Sequence, residues 1–420
     1  MAESIAPAAA QPAERTRPER LRANADLAYP FEPPTADGAV VEVAPGILWA
    51  RVPMPMALDH INVYLLRDGE GWTVVDTGLN LPASKEVWER IATQQLQGLP
   101  IRRLICTHSH YDHAGLAAWI MERFGAELLM SYGEYFMLRG FTAPPPDPLP
   151  PLQQSFYRRA GMDDAQIDHM FSSLRRDPFA PPVPQNYQRL RDGDRLTIGQ
   201  REWQVVVGEG HSPEHVCLYN ARDRILLAGD QLLPRITSNV LVTPIEPEGN
   251  PLQLWLASLN RLNALAQDTL VLPSHQGVFR GLHARVQELH AHHQQQFALL
   301  ERTLQDGGPA TAWELMQVQF PKRRGPMDDL MAMGEAIAHL SWLRHQGRIR
   351  RWLDDDGRYR FQVTPAALDV PAAGSVSDAQ AAPSVEERAY NCAVIPAKAG
   401  IHSSDETAAW VTPGSPPSRG

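Results

Sequence analysis

A chain of 420 residues with 43% apolar content and a formal net charge of −9 can bury a large core and fill two domains plus tails. The acidic balance argues against a dedicated nucleic-acid binder, which would carry a basic face, and no apolar run approaches the roughly 18 residues of a membrane span. Cys106, Cys217 and Cys392 are too few and too scattered for a disulfide framework, and the first residues lack a basic region followed by an apolar stretch, so the expected setting is a reducing cytoplasm.

Residues 1–38, rich in Ala, Pro, Glu and Arg without apolar periodicity, read as a disordered leader. Strands are predicted at Val40–Val43 and Gly46–Val52. Asn62–Leu66 and Trp72–Val75 form a hairpin across Asp68-Gly69-Glu70-Gly71. The hairpin ends at Asp76, either as a turn or capping residue or as an acceptor that orients a ligand histidine. A helix follows at Ser84–Leu96, then a strand at Arg103–Cys106.

That strand runs into Thr107-His108-Ser109-His110-Tyr111-Asp112-His113-Ala114-Gly115, and an amphipathic helix begins at Leu116. Three imidazoles and a carboxylate therefore stand at the carboxyl end of a strand, where open α/β sheets keep their chemistry. His108 and His110 can point one way from the loop, while Asp112 and His113 open the helix and face another. Such an arrangement serves two adjacent metal ions better than one.

After a short strand at Glu127–Ser131, residues 132–193 break the α/β rhythm. They hold a proline-rich segment, Ala143–Pro151, and candidate helices at Glu134–Arg139, Leu152–Arg159 and Ala165–Leu174. The segment reads as a lid insertion over the site; the alternative is a passive surface elaboration. Strand Trp203–Val207 leads to Gly210-His211-Ser212. A hairpin, Val216–Asn220 with Arg224–Leu227, ends at Gly229-Asp230. A helix at 251–266 precedes strand Thr269–Leu272 and Pro273-Ser274-His275. Glu214 and His215 read as structural. Arg235, after Asp230, and Tyr132, Tyr135 and Arg139 in the lid are candidate substrate contacts, with Arg235 suited to a carboxylate or phosphate.

From Gly281 the pattern is helical to Leu304, broken at Gly307-Gly308-Pro309 and resumed at 311–319 and 327–346. A hairpin of Gly347–Trp352 and Tyr359–Val363 closes it. Three helices and a hairpin predict a winged-helix-like C-terminal domain over 281–365. Residues 366–420 read as a disordered tail, in which Val394–His402 looks like a translated bacterial repeat element.

Several independent strand ends each offer His or Asp. Together, Val75-Asp76-Thr77-Gly78, Thr107–His113, Gly210-His211-Ser212, Gly229-Asp230 and Pro273-Ser274-His275 resemble the metallo-β-lactamase superfamily, in its dinuclear, glyoxalase II-like branch, over about residues 40–280. The resemblance implies an α/β fold, an αβ/βα sandwich with metals at one edge, filling a domain at 39–280. It implies that His108, His110 and His211 hold a first metal, that Asp112, His113 and His275 hold a second, that Asp230 bridges them and that Asp76 stands behind the ligands. Asp112 and Asp230 would also be catalytic. The expected cofactor is a pair of divalent ions, zinc first, with iron or manganese as alternatives.

The true β-lactamases of the superfamily lack an Asp at the bridging position, so Asp230 argues against lactam cleavage. The diiron flavoprotein branch carries Glu where His110 stands. The implied reaction is hydrolysis by a hydroxide held between the two ions. No general acid is evident, which favours a leaving group that departs unassisted, such as a thiolate. The expected substrate is therefore a small-molecule thioester or ester, of the kind taken by hydroxyacylglutathione hydrolases. A metal-dependent ribonuclease or phosphodiesterase is the alternative, since winged-helix-tailed relatives include ribonucleases and Arg348-Ile349-Arg350-Arg351 is basic. A non-enzymatic protein binding DNA or a partner is the third reading.

Overall fold

The computed structural model describes residues 26–56, 58–141, 146–172, 181–323 and 325–365. Within them two sheets face each other. The first contains β1 (Val40–Ala44), β2 (Ile47–Pro53), β3 (His60–Arg67), β4 (Trp72–Val75), β5 (Ile101–Ile105), β6 (Glu127–Ser131) and β7 (Gln188–Leu190), side by side in chain order. β1 to β4 pair antiparallel, and β4 to β7 pair parallel. The second contains β8 (Arg195–Ile198), β9 (Arg201–Gly208), β10 (His215–Asn220), β11 (Ile225–Gly229) and β12 (Leu270–Pro273), with only β11 and β12 parallel.

The central strands are apolar on both faces, as expected where helices cover each sheet. Ile105, Leu227 and Leu272 point between the sheets with Trp49, Tyr64 and Trp203. Leu104 points outward to Trp88 and Ile91 of α1 (Pro82–Gln94) and to Ile120 of α3 (Ala117–Phe124). On the other side Leu226, Ala228 and Val271 meet Trp255 and Leu259 of α7 (Pro251–Asn263) and Val286 and Phe297 of α8 (Leu282–Gly307). The result is the expected αβ/βα sandwich. β4, β5, β11 and β12 all end at one edge, where the chemistry-bearing residues follow.

The structure treats two of the expected segments differently. Residues 26–38 are laid against the body rather than forming part of a leader. Ala28 exchanges backbone hydrogen bonds with Arg280, and Leu27 is buried in the core beneath α8. Residues 1–25 and the expected tail, 366–420, lie outside the described residues. The insertion at 132–193 is not a separate lid, because its last part is β7, which extends the first sheet. Its middle part, α5 (Pro151–Arg159) and α6 (Asp164–Phe171), packs into the same core as α9 (Ala312–Gln319) and α10 (Pro326–His345) through Tyr157, Met170, Leu315 and Met333. Trp313 also donates its backbone N–H to the Ala160 carbonyl at 2.9 Å.

The elements after 281 follow the expected order of three helices and a hairpin, β13 (Ile349–Leu353) with β14 (Tyr359–Val363). Leu300, Leu340 and Phe361 share one core with Trp255 and Val271, so no gap between cores falls at the expected boundary. No described helix is long and apolar enough to cross a membrane.

Candidate metal centre

Asp76, directly after β4, is in the left-handed backbone region at φ +63°, which Asp tolerates better than most residues. Its buried carboxylate reaches to the neighbouring strand end. There it accepts the Thr107 N–H at 2.8 Å, the Thr107 hydroxyl at 2.9 Å and His113 Nδ1 at 2.9 Å. These bonds fix the start of the loop after β5 and the tautomer of His113. With Nδ1 protonated toward Asp76, His113 turns the lone pair of Nε2 outward to the edge.

His108, His110, Asp112 and His113 leave that loop and the short helix α2 (Tyr111–Ala114) on two sides, as their spacing suggested. His108 Nε2 lies 2.8 Å from His110 Nδ1 and 3.2 Å from Nε2 of His211, which follows β9. His211 donates Nδ1–H to the Asn239 carbonyl at 2.7 Å, so its Nε2 is the lone-pair nitrogen. On the other side, Asp112 Oδ2 is 3.5 Å from His113 Nε2 and 3.3 Å from His275 Nε2. His275 follows β12 and donates Nδ1–H to the His60 carbonyl at 3.0 Å.

Asp230, after β11, stands between the two sets. One oxygen is 3.5 Å from His275 Nε2. The other is 3.5 Å from His113 Nε2 and 3.6 Å from His211 Nε2. The donor atoms thus fall into two groups, His108/His110/His211/Asp230 and Asp112/His113/His275.

Electrostatics and hydrogen bonding both favour cations here. Burial, with the neighbouring imidazoles, holds His108 well below its usual pKa and His211 at about 4, so both keep free lone pairs at neutral pH. Burial alone would lower His113 too, but Asp112, Asp230 and Asp76 outweigh it and push it up. His113 Nε2 and Asp230 Oδ1 are buried without a hydrogen-bond partner among the described residues. Nitrogen lone pairs aimed at one another and orphaned polar atoms of this kind are costly unless something positive lies between them. Neutral imidazoles with carboxylates suit zinc and similar divalent ions. The residues therefore fit a pair of such ions.

The surroundings explain why these loops hold still. Asn62, buried in β3, donates to the Pro273 carbonyl at 2.8 Å and the Gln276 carbonyl at 3.1 Å. Arg51 donates to the Gln276 carbonyl at 2.9 Å, and the Tyr64 hydroxyl to Pro273 at 2.8 Å. His215 accepts the Asp230 N–H on Nε2 at 3.0 Å, a structural role consistent with its reading from sequence. Glu134, fully buried at the start of α4 (Tyr132–Phe141), accepts the Ser109 and Glu214 N–H groups. Sequence reasoning missed Asn62 and Glu134 as functional residues. Asn62 left a trace, as an amide set among Ile61, Val63, Tyr64, Leu65 and Leu66 in the buried middle of the strand. Glu134 left none, because a glutamate in a first helical turn is ordinary.

The residues suggested as substrate contacts have other partners. The buried Tyr135 donates its hydroxyl to the Pro184 carbonyl at 2.9 Å and stacks on Tyr187, and Arg139 donates to the Tyr135 hydroxyl at 3.3 Å. The guanidinium of Arg235 lies over the Tyr29 ring, 5.0 Å from its centroid. None of the three side chains is brought into either donor group.

The order and geometry of these strand ends agree with what sequence comparison finds. The profile of the Metallo-beta-lactamase superfamily matches residues 56–275. The chain belongs to the metallo-β-lactamase superfamily. It is a metallo-hydrolase of that fold, and residues 299–364 match the C-terminal domain described as metallo-beta-lactamase-like. A beta-lactamase domain protein from Burkholderia ambifaria is 41% identical, with a TM-score of 0.75 over 81% of this chain and 98% of that one. The probable metallo-hydrolase YqjP of Bacillus subtilis is 24% identical over 330 residues, 74% of this chain and 97% of that protein. The acyl-coenzyme A thioesterase MBLAC2 of Homo sapiens is 25% identical over 193 residues, 44% of this chain and 63% of that protein.

Proposed function

We propose that this metallo-hydrolase cleaves thioesters, or esters with comparably good leaving groups, at a dinuclear centre. His108, His110 and His211 would hold one ion, Asp112, His113 and His275 the other, with Asp230 between them. The observation that carries the reading is the convergence of these seven side chains into two donor groups that share Asp230. Bound divalent ions supply a nucleophile from water at neutral pH and a Lewis acid for the substrate carbonyl oxygen. The chain's own part is to orient the donors: Asp76 through His113, Asn239 through His211, and the His60 carbonyl through His275. Asp112, held at about pKa 2 by His113 and His275 despite the opposing effect of burial, stays an acceptor throughout.

The leaving group decides between substrate classes. Among the described residues, the groups that hold the centre by hydrogen bonds are carbonyls, carboxylates, backbone amides, the Asn62 amide, the Arg51 guanidinium, hydroxyls already donating, and His215, which accepts from Asp230 N. None is an acid able to protonate an alkoxide. A thiol with a pKa near 8.5 leaves as the anion without help. The similarity to a protein named as an acyl-coenzyme A thioesterase supports the same class.

The alternative, a ribonuclease or phosphodiesterase, drew on the run Arg348–Arg351. In the fold Arg348 pairs with Glu301, Arg351 with Glu248 at 2.8 Å, Arg350 with Gln362 and the adjacent Arg360 with Asp354 at 2.8 Å. Arg348 and Arg351 are thus compensated by carboxylates, which leaves Arg350 as the exposed cation of the run facing a neutral amide, less charge than the sequence suggests for a phosphate backbone.

The test is thiol release from a panel of acyl-coenzyme A and acyl-glutathione thioesters by zinc-loaded protein, beside an Asp230→Ala control. Release that disappears in the control supports the proposal. No release from protein holding two ions per chain refutes it.

A further inference from the structure

Asp76 grips one histidine of the centre directly. Glu134 touches none of the seven donors, yet it is buried as completely. Its Oε2 accepts the Ser109 N–H at 2.9 Å and its Oε1 the Glu214 N–H at 2.8 Å. Ser109 separates His108 from His110, and Glu214 lies three residues beyond His211. One carboxylate therefore ties together the two loops that carry all three histidines of the first donor group.

The connection closes into a ring. Glu214 returns its own carboxylate to the Gly133 N–H at 2.8 Å, and its carbonyl accepts the Ser131 hydroxyl at 2.7 Å. A Cβ at Gly133 would lie 3.2 Å from the Glu214 side chain, so Glu214 packs closely against the start of α4. Burying a carboxylate is costly unless its oxygens are satisfied. Here each oxygen takes one amide in a charge-assisted bond, the stronger kind. The neighbouring positions of α4, Tyr135 and Leu138, are buried in an apolar core, where an apolar side chain would pack without that cost. What a glutamate adds at this position is the link between the loops.

We propose that Glu134 is a positioning residue that sets the His108–His110–His211 geometry, and with it the affinity for one of the two ions. The inference rests on the dinuclear reading above. Its test uses two backgrounds with one donor group each. His275→Ala leaves the first group whole, and His211→Ala leaves the second. Each metal-free protein is titrated with zinc in competition with a chromophoric chelator, with and without Glu134→Gln.

In the His275→Ala background Glu134→Gln lowers zinc affinity by about 10- to 100-fold, the range for outer partners of metal ligands. In the His211→Ala background it changes affinity by less than about twofold, because Glu134 holds the loop after β5 only at Ser109, between His108 and His110, whereas Asp112 and His113 stand beyond it on α2, with His113 fixed by Asp76. If the glutamine variant fails to fold, by thermal melting of the metal-free form, Glu134→Asp replaces it. Aspartate keeps the charge but is one methylene too short to span both amides, and the same selectivity is expected. Equal loss in both backgrounds, or no loss in the first, overturns the inference. Failure of the unsubstituted protein to bind zinc overturns the dinuclear reading itself, a result seen without any change at Glu134.

Discussion

Replacing His293 and His339 by leucine should remove much of the protein's sensitivity to acid. The two imidazoles form a chain in the core between α8 and α10. His339 donates Nδ1–H to the Glu335 carbonyl at 2.8 Å, so its Nε2 accepts from His293 Nδ1 at 3.0 Å. His293 Nε2 is then left buried without a partner among the described residues, beside the Trp255 ring. A proton on His339 Nε2 would set two N–H groups against each other, and one on His293 Nε2 would find no acceptor. Burial, aided by neighbouring histidines, accordingly holds His293 at about 2 and, with His292, His339 at about 4, against 6.5 in the unfolded chain.

Both shifts are downward, so the native pair stays neutral while the unfolded chain takes up protons as pH falls below 6.5. Stability is lost on acidification. At pH 5 each histidine contributes about 1.36 × 1.5, or roughly 2 kcal/mol, and the pair about 4 kcal/mol. Glu335 works the other way. Burial raises it to about 7, so its contribution is present at low pH and is lost as pH rises toward 7. Between pH 8 and pH 5 it returns about 2.5 kcal/mol. These three groups together therefore cost the wild type about 1–2 kcal/mol over that interval, whereas without the two histidines the same balance is a gain of about 2–3 kcal/mol. Urea unfolding at both pH values measures this. With a slope of about 2–3 kcal/mol per molar, the midpoints of the two proteins should diverge by roughly 1.5–2 M. Comparing the proteins cancels Glu335 and the histidines of the metal centre. Curves that run parallel between pH 8 and pH 5 would refute the reasoning.

Two further substitutions probe the supports of the centre. Gly229 has φ +52°, and a Cβ there would run into the ring of His215 that accepts the Asp230 N–H. Gly229→Ala should therefore lower hydrolysis by more than about tenfold while far-ultraviolet circular dichroism is unchanged; full activity would mean that the Asp230 backbone is not held as described. Asn62→Ala removes one of the two side-chain donors to each of the Pro273 and Gln276 carbonyls that pin the His275 loop, leaving Tyr64 and Arg51 as the others. It should cost about 1–3 kcal/mol in denaturant unfolding, and an effect below about 0.5 kcal/mol would contradict that role.

Most of the sandwich was legible because its strands are apolar on both faces and end in abrupt polar residues. Leu104-Ile105-Cys106 before Thr107, and Leu226–Ala228 before Gly229-Asp230, mark strand and edge together. His113 and His275 could be named for the same reason: each follows such an ending. What could not be read lies in contacts between distant segments. β7 has three residues and no pattern of its own, and it exists because Leu129–Ser131 offers a free edge beside it. Residues 26–38 look like a leader by composition, but Leu27 and Ala28 find their partners more than 250 residues away, at Arg280 and α8. Glu134 acts on Ser109 and Glu214, 25 and 80 residues distant, and no local pattern encodes that.

The most direct test of a dinuclear thioester hydrolase is to add zinc stepwise to metal-free protein while recording bound metal and thiol release from an acyl-coenzyme A substrate together. The account predicts two equivalents per chain, with release rising as the second is taken up and absent from Asp230→Ala. A single equivalent at saturation, or release complete after the first, would contradict it.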